Sequence, residues 1–403
     1  MIKKIIFSLL CFIPVIVSAS VTPLVRIGGR FYDTLEDAVN AAPNNSTLTL
    51  ISNIDLKDTL DINKNITIDL NGNNITAKEK VFQVKGGFLT LSGKGTVKET
   101  EPNYGAIMLI GSSEPTNEKY SGVRVGKDVI LEGWSGIFIN HESGKSYGVN
   151  AYLEGKINAV NDTSGGTGIG IYINGNIKHT TNYPVINIGD NAKITSTGNG
   201  IYMAGYMELN VDGGYIQGDE SGIGMKAGIL NINDGTIIST GSDETPSQGN
   251  NNGINASGTA IQIESNPNYA GNMKINIKDG LIKSKNSYAV YEYIGKGETS
   301  LVNTINISSG QVESGKDNFY LSNSFNEKHP YFIEGGLYSS DPSDYLDPGY
   351  SAILNKDNLY EVNMATFRQV SKYEDESPRT LLYLLMVGLL VILSVIGFKY
   401  IKK

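Results

Sequence analysis

The chain has 403 residues and a net charge of −8, because 41 acidic residues outnumber 33 lysines and arginines. The basic residues are scattered and form no patch, which argues against nucleic acid as a partner. Only one cysteine is present, so disulfides cannot stabilise the fold. The 47 glycines and 12 prolines suit many short strands joined by tight turns.

Residues 1–19 are predicted to be a secretory signal peptide. Lys3 and Lys4 provide a positive start, the following segment is almost wholly apolar, and Ala19 offers a small residue for cleavage before Ser20. The sequence therefore predicts an exported protein. An uncleaved signal-anchor helix is the alternative interpretation of this segment. Cys11 lies within it, so we expect no cysteine in the mature chain.

Residues 20–59 are predicted to form a cap of strands and one helix at the N-terminal end. A short strand pair turns at Gly28, and a helix follows from Thr34 to Ala42. Thr34 can cap this helix, and Asp37 completes a capping box. The helix has one apolar face, so we expect it to cover the first rung of the repeat that follows.

A short phrase recurs along residues 60–333, in which alternating apolar residues precede a turn and one more apolar residue. Clear copies are LNINDGTI (Leu230–Ile237), KINIKDGLI (Lys274–Ile282) and INISSGQV (Ile305–Val312). The aligned turn positions are Asn73, Gly95, Asp128, Gly155, Ala192, Gly214, Gly235, Gly280, Gly310 and Gly336. Their minimum spacing of about 22 residues, with variable excess, indicates a solenoid whose rungs carry insertions.

Each rung is predicted to contain three strands. The fold class is therefore all-β, a right-handed single-stranded parallel β-helix of about ten rungs. The predicted architecture also includes the N-terminal capping helix and a C-terminal transmembrane helix. A β-propeller is the competing architecture, but its blades need about 40–50 residues each. The shorter spacing of several rungs favours the β-helix.

One strand of each rung carries a row of aromatic residues. In phrases such as GIYI (Gly170–Ile173), the second and fourth residues are predicted to point inward and the third outward. The outward positions are Met108, Phe138, Tyr172, Tyr202, Gly224, Gln262, Tyr291 and Tyr320. If the strands pair in register, these rings lie about 4.8 Å apart on a solvent-facing sheet. Glu292 interrupts the inward apolar pattern, which predicts a bend or a different alignment there.

The aromatic members of this row are the candidate binding residues for a glycan or a protein partner. They are Phe138, Tyr172, Tyr202, Tyr291 and Tyr320. Exposed aromatic rings provide contact area with little loss of conformational entropy. The alternative interpretation is an aromatic ladder that only stabilises the sheet, because stacking and β-propensity also favour tyrosine there.

The sequence predicts no catalytic residues. A polysaccharide lyase needs a base beside calcium-binding carboxylates, and a glycoside hydrolase needs carboxylates that converge on one bond. No Asp-Asp pair occurs, and Arg124 is the only arginine within the rungs. The segment Asn161-Asp162-Thr163 is interpreted as a polar turn.

No cofactor and no metal site are predicted either. The three histidines are distant from one another in the sequence, at His141, His179 and His329. A metal site needs ligands that converge at defined spacing. Aspartates also recur in Asp-Gly turns, at Asp212, Asp234 and Asp279. Turn chemistry accounts for them, with calcium binding as the alternative.

The C-terminal residues are predicted to form a cap (334–362), a polar stalk (363–380), a transmembrane helix (381–398) and a basic cytoplasmic tail (399–403). The apolar stretch is long enough, at ~1.5 Å per residue, to cross most of the ~30 Å hydrocarbon core. Lysines after it and acidic residues before it place the tail inside. We therefore expect a single-pass protein on the extracellular face of the cell membrane.

The same tail resembles a sortase cell-wall sorting signal, which makes cell-wall anchoring the alternative to a plain membrane anchor. Pro378-Arg379-Thr380 stands where the motif is expected, followed by an apolar span and a basic end. Ser377 and Leu381 depart from the usual residues of the motif. Either form of anchoring leaves the body of the chain outside the cell.

The order of segments resembles that of bacterial surface β-helix proteins, which are grouped as pectate-lyase-like adhesive or surface proteins. The resemblance is carried by FYDTLEDAVNAAPNNSTLTLISNI (Phe31–Ile54), the rungs, and GGLYSSDPSDYLDPGY (Gly335–Tyr350). It implies a location and an architecture but no ligand. We therefore expect a non-enzymatic adhesin that binds glycans or other surface partners. A membrane-tethered polysaccharide lyase or glycoside hydrolase is the alternative.

Overall fold

The computed structural model describes residues 23–111, 121–143, 147–243, 258–266, 268–269, 271–294 and 302–365. Strands make up 50% of the chain and helices 5%. Most strands pair in parallel within long sheets, which is consistent with a β-helix solenoid. The prediction of an all-β fold built from stacked parallel strands is confirmed. The predicted signal peptide lies outside the described residues.

The strands are short and follow one another closely along the chain. The first are β1 (Val25–Ile27), β2 (Arg30–Tyr32), β3 (Ser46–Leu50), β4 (Ile54–Leu56), β5 (Leu60–Ile62), β6 (Ile66–Asp69), β7 (Ile75–Ala77), β8 (Phe82–Lys85), β9 (Phe88–Ser92), β10 (Gly95–Glu99), β11 (Ile107–Ile110) and β12 (Ser121–Val125). The next are β13 (Val129–Gly133), β14 (Ile137–Asn140), β15 (Val149–Leu153), β16 (Lys156–Ala159), β17 (Ile169–Ile173), β18 (Val185–Ile188), β19 (Lys193–Ser196), β20 (Asn199–Met203), β21 (Glu208–Val211), β22 (Tyr215–Gly218), β23 (Ser221–Met225) and β24 (Ala227–Ile232). The last are β25 (Thr236–Ser239), β26 (Thr259–Ser265), β27 (Gly271–Ile277), β28 (Leu281–Ser284), β29 (Val290–Ile294), β30 (Thr304–Ile307), β31 (Gln311–Glu313), β32 (Phe319–Tyr320), β33 (Gly336–Tyr338), β34 (Tyr350–Leu354) and β35 (Tyr360–Met364).

These strands form three sheets, and each rung contributes one strand to each sheet. Sheet A has 12 strands in the order β2-β1-β3-β6-β9-β12-β15-β18-β21-β24-β27-β30. Sheet B has 13 strands in the order β34-β35-β33-β31-β28-β25-β22-β19-β16-β13-β10-β7-β4. Sheet C has 10 strands in the order β32-β29-β26-β23-β20-β17-β14-β11-β8-β5. Because β3 and β4 already belong to these sheets, the first rung begins before the predicted start at residue 60.

The core consists of ladders of aliphatic residues inside the three sheets. In sheet A, one ladder joins paired residues from rung to rung: Leu48, Ile68, Leu91, Val125, Leu153, Ile188, Val211, Ile232, Ile277 and Ile307. None of these side chains is more than 1% exposed. Residues two apart on a strand share a face, so the alternation of the repeat fixes which side chains are buried.

The turns from sheet A to sheet B need glycine in the later rungs. Gly235, Gly280, Gly310 and Gly336 all have φ near +100°, at 102°, 97°, 98° and 108°. A Cβ added at Gly235 would lie 2.6 Å from the carbonyl oxygen of Gly213 in the preceding rung. Both the backbone conformation and the close approach of the rungs therefore require glycine at this corner.

The N-terminal residues extend sheet A ahead of the first rung. Strands β1 and β2 form an antiparallel hairpin, and β1 pairs with β3 to extend sheet A. Helix α1 (Leu35–Ala41) begins at Thr34, whose Oγ1 accepts a hydrogen bond from the backbone N of Asp37 at 3.0 Å. Lys64 donates to the carbonyl oxygens of Val39 and Ala42, both at 3.1 Å, and so caps the other end of the helix.

The C-terminal cap continues the solenoid further than the sequence indicated. Strand β33 extends sheet B in parallel, although no further rung was predicted after residue 334. Strands β35 and β34 then add in antiparallel orientation, and β35 ends two residues beyond the predicted end of the cap at 362. A short 3-10 helix, Ser343–Tyr345, lies between β33 and β34.

Glu292 does not bend its strand, which corrects the expectation from the sequence. It pairs in register with Ile263 of the preceding rung and is 2% exposed. Its Oε2 accepts a hydrogen bond from the backbone N of Ser322 at 2.9 Å, and its Oε1 accepts one from Nδ2 of Asn303 at 3.2 Å. Ser322 is the N-cap of helix α2 (Asn323–Lys328). Glu292 therefore anchors this helix to the last rungs.

Within the described part of the chain, no helix is both long enough and apolar enough to cross a membrane. The predicted transmembrane helix at 381–398 and the basic tail at 399–403 lie outside those residues, as does most of the predicted stalk at 363–380.

Candidate functional site

The outward row predicted from the sequence lies in one register on sheet C. Phe138 pairs with Tyr172, Tyr172 with Tyr202, and Tyr291 with Tyr320. Met108 occupies the same row on the strand before Phe138, and Gly224 and Gln262 occupy it on the two strands between Tyr202 and Tyr291. We call this row the outer column. The structure therefore brings all five candidate residues onto one line of one sheet.

The rings within the outer column are stacked. The Phe138 and Tyr172 centroids are 4.9 Å apart with planes inclined by 28°, and those of Tyr172 and Tyr202 are 5.6 Å apart at 21°. Tyr291 and Tyr320 stack more closely, at 4.6 Å and 10°. These distances follow from the spacing of paired strands, with small offsets of the rings.

Gly224 and Gln262 divide the outer column into two groups. The N-terminal group contains Phe138, Tyr172 and Tyr202, and the C-terminal group contains Tyr291 and Tyr320. Gly224 has no side chain to continue the stack, and the Nε2 of Gln262 is 3.4 Å from the hydroxyl of Tyr293 on the next strand. The two groups can therefore be compared as separate surfaces.

Most of the outer column is buried, which corrects the expectation that its rings face solvent. Phe138 is 8% exposed, Tyr202 5% and Tyr291 7%, while Tyr172 is half-buried. Only Tyr320 is well exposed, at 45%. An outward position on a strand leads to solvent only where no other part of the chain covers it.

Long connections on both edges of sheet C distinguish it from the rest of the solenoid. The turns from sheet A to sheet B are short, as in 154–155, 233–235 and 278–280. Between β3 and β33, the connections of nine or more residues all begin or end at a strand of sheet C, as in 111–120, 160–168, 174–184 and 240–258. Connections of this length provide the residues that cover a sheet or surround a ligand.

Trp134 covers the N-terminal group from one edge. Its ring makes edge contacts with Phe138 at 6.4 Å and with Tyr172 at 5.7 Å between centroids. Its Nε1 donates a hydrogen bond to the carbonyl oxygen of Thr167 at 3.0 Å. The backbone N of Trp134 donates to the buried Oε2 of Glu99, also at 3.0 Å.

Glu99 also organises the neighbouring connection. Its carboxylate accepts three more backbone N–H bonds, from Asn103 at 3.1 Å, Tyr104 at 2.9 Å and Gly105 at 2.9 Å. The side chain is 1% exposed, so these donors replace water around a buried charge. Neither Glu99 nor Trp134 was predicted as a site residue, although Trp134 is the only tryptophan and lies three residues before strand β14 of sheet C.

A buried ion pair lies beside the gap in the outer column. Lys226 Nζ and Glu264 Oε2 are 2.7 Å apart, and the two side chains are 1% and 2% exposed. Lys226 Nζ also lies 4.8 Å from the centroid of the Tyr269 ring. Burial lowers the pKa of Lys226, while Glu264 acts in the opposite direction. Burial raises the pKa of Tyr202 well above its ordinary value, with Tyr269 and Tyr172 nearby.

The sequence contained a signal for this ion pair. Lys226 follows Met225, and Glu264 follows Ile263, and these apolar residues are paired across neighbouring strands. The register of the repeat therefore places Lys226 and Glu264 opposite each other, two positions beyond the outer column. The opposite charges of the two side chains make them a predictable pair.

The residues around the C-terminal group differ from those around the N-terminal group. Tyr288 lies 5.8 Å from Tyr291 and 5.3 Å from Tyr320 between ring centroids. Lys316 Nζ lies 5.1 Å from the Tyr288 ring and forms an ion pair with Asp243. Burial raises the pKa of Tyr291 to about 12. This group therefore combines aromatic rings with a charged pair that is partly open to solvent.

The histidines and aspartates of the sequence analysis do not form a metal centre in the described residues, where no group of three or more His, Cys, Asp or Glu side chains could hold an ion. The Asp-Gly turns follow the expected turn chemistry. Asp234 Oδ1 accepts from the backbone N of Gly235 at 2.6 Å, and Asp279 Oδ1 accepts from that of Gly280 at 2.8 Å.

An asparagine ladder on sheet A is a further feature that the sequence analysis missed. Each side-chain Nδ2 donates to the Oδ1 of the preceding rung, over distances of 3.2, 2.9, 2.7 and 3.2 Å. The members are Asn187, Asn210, Asn231, Asn276 and Asn306. They lie in the middle of the repeated phrases, so aligning these phrases in the sequence places the asparagines at one position. We interpret the ladder as structural.

The fold and the outer column define an all-β chain of long parallel sheets with one aromatic-rich outer face. Comparisons with protein-family models, with curated proteins and with solved structures found no match for this chain.

Proposed function

We propose that this chain is a right-handed parallel β-helix protein of the pectate-lyase-like surface type, displayed on the outer face of a cell membrane. Parallel strands of one sheet are joined with right-handed crossovers in nearly all proteins, which supports the handedness. The apolar N-terminal segment 1–19 supports export, and the apolar segment 381–398 with its basic end supports a membrane anchor.

In this proposal the protein is a non-enzymatic adhesin that binds a glycan or another surface partner through the outer face of sheet C. The observation that carries it is the coincidence of stacked aromatic rings with the long connections, both of which occur on that sheet. Aromatic rings supply contact area, and neighbouring connections supply polar groups that orient a ligand. The rest of the solenoid acts as a rigid support.

Binding of the full chain, purified in detergent, to immobilised glycans and to extracellular matrix proteins tests the adhesin function. We expect saturable binding to at least one of them. Absence of binding to every member of both sets would contradict the proposal. The appearance of unsaturated or reducing sugar ends in the same incubations would favour the polysaccharide lyase or glycoside hydrolase instead.

Cysteine labelling tests the proposed topology, because the only native cysteine lies in the predicted signal peptide. A Tyr331→Cys variant places a thiol at a position that is 52% exposed. We expect a membrane-impermeant maleimide to label it in intact cells, and to label Lys402→Cys only after lysis. Labelling of both or of neither in intact cells would contradict the topology. Loss of residue 402 from the mature chain would identify sortase processing.

A further inference from the structure

The C-terminal end of the outer column is exposed to solvent. Sheet C stops at β32, whereas sheet B continues beyond that rung with β33, β35 and β34. Tyr320 is the last residue of the column, and one face of its ring is covered by Tyr291 at 4.6 Å and 10°. Tyr320 is 45% exposed, and no strand of the described residues pairs beyond it on sheet C, so part of this residue is accessible to solvent.

We propose that Tyr320 is a stacking platform for one neutral pyranose ring of a glycan. This inference rests on the proposed function and assigns a ligand class and a position to it. A pyranose has an apolar face of C–H bonds and a rim of hydroxyls, and it can continue a ring stack at the spacing already set by Tyr291. Stacking on a preorganised ring removes apolar area from water with little loss of side-chain freedom.

The polar groups beside the stack suit a neutral sugar. The ring centroids of Tyr288 and Tyr320 are 5.3 Å apart, and Lys316, whose Nζ lies 5.1 Å from the Tyr288 ring, is paired with Asp243. The side chains of Lys316 and Asp243 are 42% and 27% exposed, so their donors and acceptors can reach hydroxyl groups. Because the charge of Lys316 is paired with that of Asp243, this lysine is not a free cation for a carboxylated sugar, and the net charge of −8 also disfavours polyanions.

The other aromatic residues of the outer column are less suitable for this role. Phe138 and Tyr202 are 8% and 5% exposed, and Trp134 lies against the Tyr172 ring. Tyr331 is as exposed as Tyr320, at 52%, but it is not part of the column. Tyr331 therefore provides a matched control for the loss of an exposed tyrosine.

The test is calorimetric titration of the full chain in detergent with three soluble probes, cellohexaose, chitohexaose and hexagalacturonate. We expect at least one of the two neutral hexamers to bind. Tyr320→Ala is expected to weaken that binding by about tenfold, because the stacking contact is lost. Tyr320→Phe should keep the affinity within about twofold, and Tyr331→Ala should leave it unchanged. Circular dichroism checks that each variant has the parent's folded spectrum.

Three results would overturn the inference while leaving the adhesin function standing. One is binding of a neutral hexamer that Tyr320→Ala does not change. Another is binding of hexagalacturonate alone. The third is failure of all three hexamers to bind a chain that still binds an immobilised glycan or matrix protein. If the chain binds nothing in either assay, the adhesin function itself is contradicted.

Discussion

The two groups of the outer column share one sequence pattern but have different environments. In the N-terminal group, Trp134 lies against Phe138 and Tyr172, and Tyr202 is 5% exposed. In the C-terminal group, the stack ends at Tyr320, which is 45% exposed. The comparison teaches that an outward position on a sheet of stacked parallel strands specifies a row of side chains, while the connections decide whether that row is core or surface.

The polar residues of the two groups differ in the same way. The Lys226–Glu264 pair is almost wholly buried, at 1% and 2% exposure, whereas the Lys316–Asp243 pair is 42% and 27% exposed. Buried charges must be compensated within the protein, and exposed ones are solvated. The N-terminal group with its ion pair therefore forms an outer extension of the core. The polar atoms of the C-terminal group are partly open to solvent.

The largest expected effect comes from breaking the buried ion pair. Lys226→Met leaves the carboxylate of Glu264 buried without its partner, which should lower the free energy of unfolding by about 3–5 kcal/mol. The double variant Lys226→Met/Glu264→Leu should recover most of this loss. Lys316→Met, at the exposed pair, should cost less than about 1 kcal/mol. Urea unfolding measures all three, and equal losses for the two lysine variants would contradict the distinction.

The second effect concerns the rings themselves. Tyr202→Ser removes a buried ring and should lower the free energy of unfolding by about 3 kcal/mol. Tyr320→Ser removes a partly exposed ring at the end of the stack and should cost less than about 1 kcal/mol. The fluorescence of Trp134, the only tryptophan, reports unfolding beside Phe138. The interpretation would be wrong if Tyr320→Ser were the more damaging change.

A smaller effect should appear at alkaline pH. The pKa of Tyr291 is about 12, while an unfolded tyrosine has a pKa near 10. Between these values the unfolded chain has lost a proton that the folded chain retains, so stability falls as the pH rises through this window. Tyr291→Phe removes this ionisable group. The stability of the variant should still fall with rising pH, but by less than that of the parent chain. Thermal unfolding followed at pH 8 and pH 11 measures the difference, and an identical fall in both proteins would count against burial of Tyr291.

The register of the fold could be predicted from the sequence because it depends on local periodicity. Alternation with period two and recurrent turns sufficed to align Phe138, Tyr172 and Tyr202 on one line. One turn was aligned a residue too early, since Gly95 pairs with Val129 and not with Asp128. The glycine of that turn is Gly126, three residues before the position that pairs with Gly95, so it does not mark the aligned position.

The burial of the outer column could not be predicted because it depends on contacts that are distant in sequence. Glu99 fixes the backbone of Trp134 across 35 positions. Tyr269 contacts Lys226 from a connection three strands later. The sequence did show that the insertions are longest next to one strand of each rung. The outward residues of that strand are therefore the ones that neighbouring connections can cover most easily.

Hydroxyl-radical footprinting of the full chain, read by mass spectrometry, tests the central claim most directly. Tyr320 should be oxidised about as strongly as the exposed Tyr331, and Tyr202 and Tyr291 should be protected. A bound neutral hexamer should protect Tyr320 and leave Tyr331 unchanged. Oxidation of Tyr202 to the same extent as Tyr320 in the folded chain would contradict the distinction between the buried rings of the outer column and its exposed end at Tyr320.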